Sequence, residues 1–337
     1  MQWTDASFPH PPVDSPTLDV VDDACLSRVS RGPLRSVQPP TRWVRGAVYD
    51  ADGSLVVESQ KIGGANGYVV APADPTTMKV PKDVERLPGA WLYGGHWLQH
   101  FGHFILETLP TLWPRGLDVE GLVLHKFFNR PFSVEPYQRR LLDLAGYAGT
   151  TVRVVEGRPL RVDRLHVPSR AVVANGWAHP EARQVWERVA ASFRGRGGPR
   201  LVYFSRTAFN DGKRRAGKET RTTEERDRSL DTVFADAGFT TVRPEELSID
   251  EQLALAANAD ILAGLASSAL HLACFAPTGS RVIEVADSRL PARLTGMQRL
   301  IDTACGHREA FFPDASPPDE IAAGLAQLDL TERTAHG

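Results

Sequence analysis

The sequence predicts an α/β protein made of two Rossmann-like halves facing across a cleft. Short apolar strands alternate with amphipathic helices through most of the chain. A glycine-rich break, GRGGPR (Gly195–Arg200), interrupts that alternation and reads as a hinge. A length of 337 residues is enough for two ordinary domains. Strict β-α alternation favours a parallel, doubly wound sheet, whose ligands sit outside the carboxyl ends of the strands.

Residues 1–45 are proline-rich and read as irregular. WVRGAVYDADGSLVVES follows as two strands around an Asp52-Gly53 turn. Its Asp50-Ala51-Asp52 triplet has the form of a metal-binding D-x-D, although Asp-Gly turn chemistry accounts for it. GLVLHKFF, TVRVVEG and RVDRLHVP read as strands. PYQRRLLDLAG, closed by Gly146, and HPEARQVWERVAASF read as helices. Beyond the hinge, LVYFSR is a strand. Leu230, Val233, Phe234 and Ala237 mark a helix closed by Gly238, and FTTVRP is a strand stopped by Pro244. Ser248 and Glu251 form a capping box that opens the helix SIDEQLALAANAD. ADILAGL is a strand, SSALHLACFA a helix ended by Pro277 and Gly279, and RVIEVAD a strand.

Composition narrows the function. Apolar residues make up 42% and charged residues 24%, as in a soluble globular protein. A net charge of −2 gives no general attraction to nucleic acid, and membrane contact is expected to be at most peripheral. The three cysteines, Cys25, Cys274 and Cys305, lie far apart without a CxxC pair, which fits a reducing, cytoplasmic setting. MQWTDASFPHPPVDSP lacks the basic start and apolar core of a signal peptide, and no apolar run reaches about 18 residues.

In the second half, the strand ends are Ser205-Arg206, Arg243-Pro244-Glu245, Gly264 to Ser268, and Asp287. Arg206, Lys213, Arg214, Arg215, Lys218 and Arg221 form a local basic cluster. Arg206 closes a buried strand, where a guanidinium can fork onto a diphosphate; Lys213 to Lys218 read as a solvated loop. Gly212 to Lys218 also spells G-x-x-x-x-G-K, but Glu219 stands where a P-loop needs Ser or Thr. In GLASSALH, Ser267 and Ser268 open a helix that could offer backbone N–H groups to a phosphate, and His271 leans back toward that opening. The plain alternative is that the serines cap the helix and His271 packs.

In the first half, GGHWLQHFGHFILETLP sets His96, His100, His103 and Glu107 at steps of four, three and four. On one helix His96 and Glu107 would stand roughly 16 Å apart, so no single metal binds all four, and Gly102 weakens such a helix. The pair His103/Glu107 suits a general base on an apolar helix, or else one polar face.

HFGHFILETLPTLW, then LVYFSR, then GFTTVRPEELSIDEQLALAANADILAGLASSALHLACFAPTGSRVIEV together resemble glycosyltransferase family 61. The resemblance covers about residues 90–290, and bacterial members are often described as capsular polysaccharide biosynthesis proteins. It implies a GT-B fold, inversion at the sugar's anomeric carbon, and usually no bound metal. In the family's N-terminal pattern His100 stands where Asn is usual, His103 matches the His and Glu107 the acid. Ser205-Arg206 match the Ser-Arg after the first C-terminal strand. EERDRSL offers Glu225 or Asp227 for a poorly matched later motif. Ala266 replaces a histidine and Ser267 a glycine, which leaves His271 for the phosphate contact.

The resemblance thus implies an acceptor domain at residues 1–195, a nucleotide-sugar domain at 196–312, and a tail at 313–337 packing back on the first domain. Glu107 is expected as the base with His103 orienting it or exchanging roles with it, and His96 and His100 near the acceptor. Ser205, Arg206, Gly264, Ser267, Ser268, His271 and Glu246 are expected on the nucleotide-sugar side. Glu251 is a further ribose candidate that already has a capping explanation. No metal and no cofactor are expected. The partners are a nucleoside-diphosphate sugar and a glycan or glycolipid acceptor. A non-catalytic nucleotide-sugar binder of the same fold is the alternative, and a metal-dependent hydrolase using the histidine row a third.

Overall fold

A computed structural model describes residues 1–10, 14–34, 41–61, 69–70, 73–127 and 131–331. It is a mixed α/β structure that divides into two compact units, Pro9–Val185 and Met1–Phe8 with Trp186–Gly337. The division falls ahead of the glycine-rich run, within a helix that covers Pro180–Ala190.

In the first unit, strands β1 (Leu18–Leu26), β2 (Val48–Tyr49), β3 (Arg86–Trp97), β4 (Gly121–Lys126), β5 (Thr151–Val155) and β6 (Leu160–Pro168) form one sheet in the order β2-β1-β6-β3-β4-β5. β6, β3, β4 and β5 run parallel, while β1 and β2 add an antiparallel edge. β1 corrects the irregular reading of residues 1–45. Its sequence, LDVVDDACL, hides the strand because acids occupy its outer face. Across the pairing, Arg164 Nε meets Asp22 Oδ1 at 2.7 Å and Arg161 forks onto Asp23, while Ala24, Cys25 and Leu26 are buried. The second arm of the expected hairpin shrinks to a bridge between Tyr49 and Leu55, followed by a 3₁₀ turn at Val57–Ser59. Asp50 Oδ1 accepts from the backbone N–H groups of Asp52 (3.0 Å) and Ser54 (2.8 Å), so the D-x-D triplet is an Asx turn.

Helices α1 (Phe101–His103), α2 (Pro136–Leu142) and α3 (Pro180–Ala190) belong to the following segments, α3 crossing into the second unit. Strands β7 (Leu201–Phe204), β8 (Thr240–Val242), β9 (Ile261–Leu265), β10 (Arg281–Val285) and β11 (Arg308–Phe312) make the second sheet, all parallel, in the order β8-β7-β9-β10-β11. This is a doubly wound order, with the direction of winding reversing between β7 and β9. A two-residue strand, Thr4–Asp5, pairs antiparallel with β11 at the edge. Connecting helices include α4 (Thr207–Arg215), α5 (Glu224–Asp236), α6 (Ile249–Asn258), α7 (Gly296–Cys305) and α8 (Pro318–Gln327). The Ser248/Glu251 capping box forms as expected, which leaves Glu251 occupied at the helix start.

In the tail, Ile321 and Leu325 of α8 join Tyr203, Phe234, Ile283 and Phe312 in the second unit's own core. Each such buried apolar side chain contributes about 1.5–3 kcal/mol. SSALHLACFA is not an α-helix but a 3₁₀ stretch, Leu270–Phe275, closed by i→i+3 bonds such as Leu272 N–H to Ala269 O. Pro277 lacks an N–H to continue it, and a short run ends most easily in 3₁₀ geometry.

Candidate active site

Gly94-Gly95 breaks the regularity of β3. Gly95 takes φ +72°, and the pairing with β4 shifts register between Tyr93 and His96. The bulge turns His96 inward, against its β4 partner His125, ring centroids 5.4 Å apart. His96 is therefore on a strand, 2% exposed, and not on a helix with the other histidines. Its Nδ1 accepts from Arg170 (2.9 Å) and its Nε2 donates to Gly46 O (3.0 Å). Burial, then the charge of Arg170, pushes it well below the usual imidazole range, so it stays neutral. His96 is thus buried with both ring nitrogens bonded within the fold, unlike the accessible acceptor contact expected of it. A side chain at Gly46 would meet the His125 ring at 2.8 Å, so this crossing needs glycine.

The helix begins only at Phe101, with exposed His100 at its N-cap. After one α turn it widens into a π-helical turn, Phe104–Thr108, and then tightens to 3₁₀ at Leu109–Leu112. Such π turns are frequent at functional sites. Phe104, Ile105 and Leu106 are fully buried, which draws Glu107 inward with them. His103 remains partly exposed at 30% of its side chain, its ring edge-on to His100 at 5.5 Å.

His103 Nδ1 donates to Glu107 Oε1 at 2.6 Å, and Lys61 Nζ forms an ion pair with Glu107 Oε2. Burial raises the Glu107 carboxyl, but Lys61 and His103 outweigh it and hold the group at about 2. A carboxylate 4% exposed, with both oxygens engaged and little affinity for a proton, is a poor base. With its Nδ1–H turned to Glu107, His103 presents Nε2 as the group able to take a proton.

In the second unit, Phe204 of β7 and Gly264 of β9 are register partners, so the loops beyond them lie side by side at the reversal of winding. Ser205 is fully buried, and its Oγ accepts from Thr207 N–H at 3.1 Å. That bond shapes the turn that delivers Arg206. Arg206 lies with its guanidinium 3.8 Å from the Phe209 ring centroid. Burial lowers its pKa, and the charges acting on it are Glu245, Arg221, Asp227 and Arg289. Arg289, which the sequence reading missed, forks onto Asp287 (2.7–3.0 Å) and donates to Ala266 O at 2.5 Å. Arg221 approaches the same Asp287 at 3.8 Å. Two arginines thus share the Asp287 carboxylate.

The other expected donor residues fare unevenly. Gly264 is inside β9, where a Cβ would stand 3.3 Å from Phe204 O, so its smallness serves packing. Ser268 is half-buried, and Ser267 Oγ is buried without a partner among the described residues. Glu246 is exposed, 3.8 Å from Arg243, in the 3₁₀ turn after β8. His271 Nδ1 faces Gln298 Oε1 at 3.2 Å. Gln298 Nε2 in turn donates to Asp302 Oδ1 (3.0 Å), which also accepts from His307 Nδ1 (2.9 Å). That chain has one direction: the Gln298 amide faces Asp302 with its NH₂, so its oxygen must take a proton from His271 Nδ1. A neutral His271 then carries its proton on Nδ1. Asp227 is 1% exposed and accepts from Asn210, Thr222 and Arg214, a structural role. Gly212 lies inside α4 rather than in a strand-to-helix loop, consistent with discarding a P-loop. Among the described residues no group of three His, Cys, Asp or Glu could hold a metal ion.

A family model described as Glycosyltransferase 61 matches residues 101–283, more than half of the chain. The chain belongs to glycosyltransferase family 61. The match spans both the His103–Glu107 pair and the Arg206 strand end. No match was found among curated proteins. Lys61 and Arg289 of this family 61 member lie outside the matched span, and Arg170 lies within it. Arg289 had a local signal, two residues after the strand-end Asp287. Lys61 and Arg170 had none, because only folding brings them to Glu107 and His96. Among the described residues, no helix is long and apolar enough to cross a membrane.

Proposed function

We propose that this family 61 member is an inverting glycosyltransferase that moves a sugar from a nucleoside diphosphate to a hydroxyl of a bacterial surface glycan, without a metal. The observation that carries the reading is a partly exposed imidazole, His103, held from behind by a buried carboxylate at 2.6 Å. In this reading the fold is a GT-B arrangement, with the acceptor on the first unit and the donor on the second. The acceptor hydroxyl gives its proton to His103 Nε2 as its oxygen bonds to the anomeric carbon. The bond from that carbon to the diphosphate breaks, and the leaving group keeps the electron pair. Glu107 stays ionised and stabilises the imidazolium that forms. Arg206, stacked on Phe209 and backed by the Arg221/Arg289/Asp287 cluster, supplies positive charge to the departing diphosphate.

Ala266 offers no side-chain contact where many family members carry histidine, and this favours a second reading as a non-catalytic nucleotide-sugar binder. One experiment addresses both. A thermal-shift panel of nucleoside diphosphates identifies the nucleotide, since a ligand of the folded state raises Tm. The matching sugar nucleotides are then assayed for transfer and slow hydrolysis in excess chelator. Binding with turnover supports the transferase, binding without either activity supports the second reading, and no binding overturns both.

A further inference from the structure

We infer that Lys61 is a positioning residue for the proposed His103 base, acting through Glu107 and contributed from outside the span that marks the family. This rests on the reading of His103 given above. The Lys61 side chain is 7% exposed, and its ammonium forms the ion pair with Glu107 Oε2 while lying 5.7 Å from the Phe127 ring centroid. Glu107 is thus held at both oxygens, by His103 at Oε1 and Lys61 at Oε2.

The segment that delivers Lys61 is anchored at every step. Ser59 Oγ accepts from Val48 N–H (2.8 Å), and Ser59 O accepts from the Tyr93 hydroxyl (3.1 Å). Gln60 O accepts from Arg170 Nε (2.5 Å), and Gln60 Oε1 accepts from Asp74 N–H (3.0 Å). Four bonds from four separate parts of the unit fix the two residues before Lys61, so the lysine has little freedom to leave Glu107.

The chemistry explains why a cation is needed there. A carboxyl packed among Phe104, Ile105 and Leu106 tends to take up a proton. A protonated Glu107 could donate to His103 Nδ1. The proton of neutral His103 would then sit on Nε2, and no lone pair would remain for the incoming hydroxyl. Lys61 keeps Glu107 an acceptor, and so keeps Nε2 the basic nitrogen. The other charged and titratable groups of this cluster are Arg170, Asp74, Glu58, His96, His125 and Tyr93, with His100 beside His103. Arg170 is the second buried cation, but its bonds go to His96 and Gln60. Lys61 alone among the described residues meets Glu107 Oε2 directly.

The test follows the His103 ring by NMR in histidine-labelled full-length protein, which needs no substrate. Lys61→Met is expected to raise the His103 titration midpoint by about one pH unit or more, because losing a neighbouring cation favours proton uptake by the pair. Lys61→Arg is expected to restore most of the wild-type midpoint. Within the Glu107→Gln background, Lys61→Met is expected to move the midpoint less. An unchanged midpoint in Lys61→Met overturns the inference. If Lys61→Met does not fold, the Lys61→Met/Glu107→Gln pair is compared with Glu107→Gln alone for donor hydrolysis. Equal rates support a role through Glu107, and a further loss overturns it. The two readings fail separately. If His103→Ala keeps wild-type turnover, the base assignment falls. If His103→Ala loses turnover while the Lys61→Met midpoint stays fixed, only this inference falls.

Discussion

Glu107 stands behind His103, its Oε1 2.6 Å from Nδ1, with the carboxylate buried and the imidazole partly exposed. That order decides which of the two can receive a proton. His103→Ala is expected to lower kcat by about 10²–10⁴-fold while leaving nucleoside diphosphate affinity intact. Steady-state rates and a thermal-shift titration on the same variant check both halves.

The pH profile separates the two assignments. Glu107 is held at about 2, so its own titration cannot produce an acid limb above about pH 4. A loss of kcat beginning above that pH is expected, and it should persist after correction for donor binding. A rate that stays flat down to pH 4 would return the base role to Glu107. Stability has a matching window. The folded carboxyl lies below its unfolded value of 4.5, so its contribution is present above 4.5 and is lost as pH falls toward 2.

Glu284 behaves in the opposite sense. Burial, the leading cause, raises it to about 8, although Thr295 donates to it from N–H and Oγ at 2.8 and 2.9 Å. An acid whose folded pKa is raised stabilises most below its unfolded value, and that contribution is lost between pH 4.5 and about 8. Glu284→Gln mimics the protonated form. It is expected to match wild type in Tm at pH 4.5 and to exceed it at pH 8, gaining up to about 1.4 kcal/mol per pH unit across that interval. Equal Tm at both pH values would show that Glu284 is ionised in the fold.

Arg206 is expected to dominate donor affinity. Arg206→Ala should weaken nucleoside diphosphate binding by about tenfold to a hundredfold, the loss of one charged hydrogen bond of about 1.5–3 kcal/mol. Arg206→Lys should recover only part of it, because an ammonium neither forks nor stacks on Phe209 as a guanidinium does. Calorimetric titration of the three proteins checks this, and an unchanged affinity in Arg206→Ala would remove the strand end from the donor site.

The chain from His307 through Asp302 and Gln298 fixes the His271 tautomer. Nitrogen NMR on labelled protein is expected to find the proton on Nδ1, and Gln298→Leu is expected to release a mixture. A proton on Nε2 in the wild-type protein would mean that the Gln298 amide is turned the other way.

The second unit was legible in the chain because its signals are local. Strands such as LVYF and ILAGL are apolar throughout, as buried parallel strands must be, and a capping box and Gly238 mark helix ends between them. The pair His103/Glu107 was legible for the same reason, since residues four apart on a helical turn meet whatever else surrounds them. The tertiary structure decided the rest. The strand LDVVDDACL could not be read alone, because Asp22 and Asp23 are satisfied by arginines more than a hundred residues away in β6. Spacing left open one helix for His96 and His103, whereas a bulge at Gly95 put His96 in a strand. The protonation of Glu107 also lay beyond the sequence. Proton affinity depends on burial and on the nearest charge, and Lys61 reaches Glu107 only when the chain is folded.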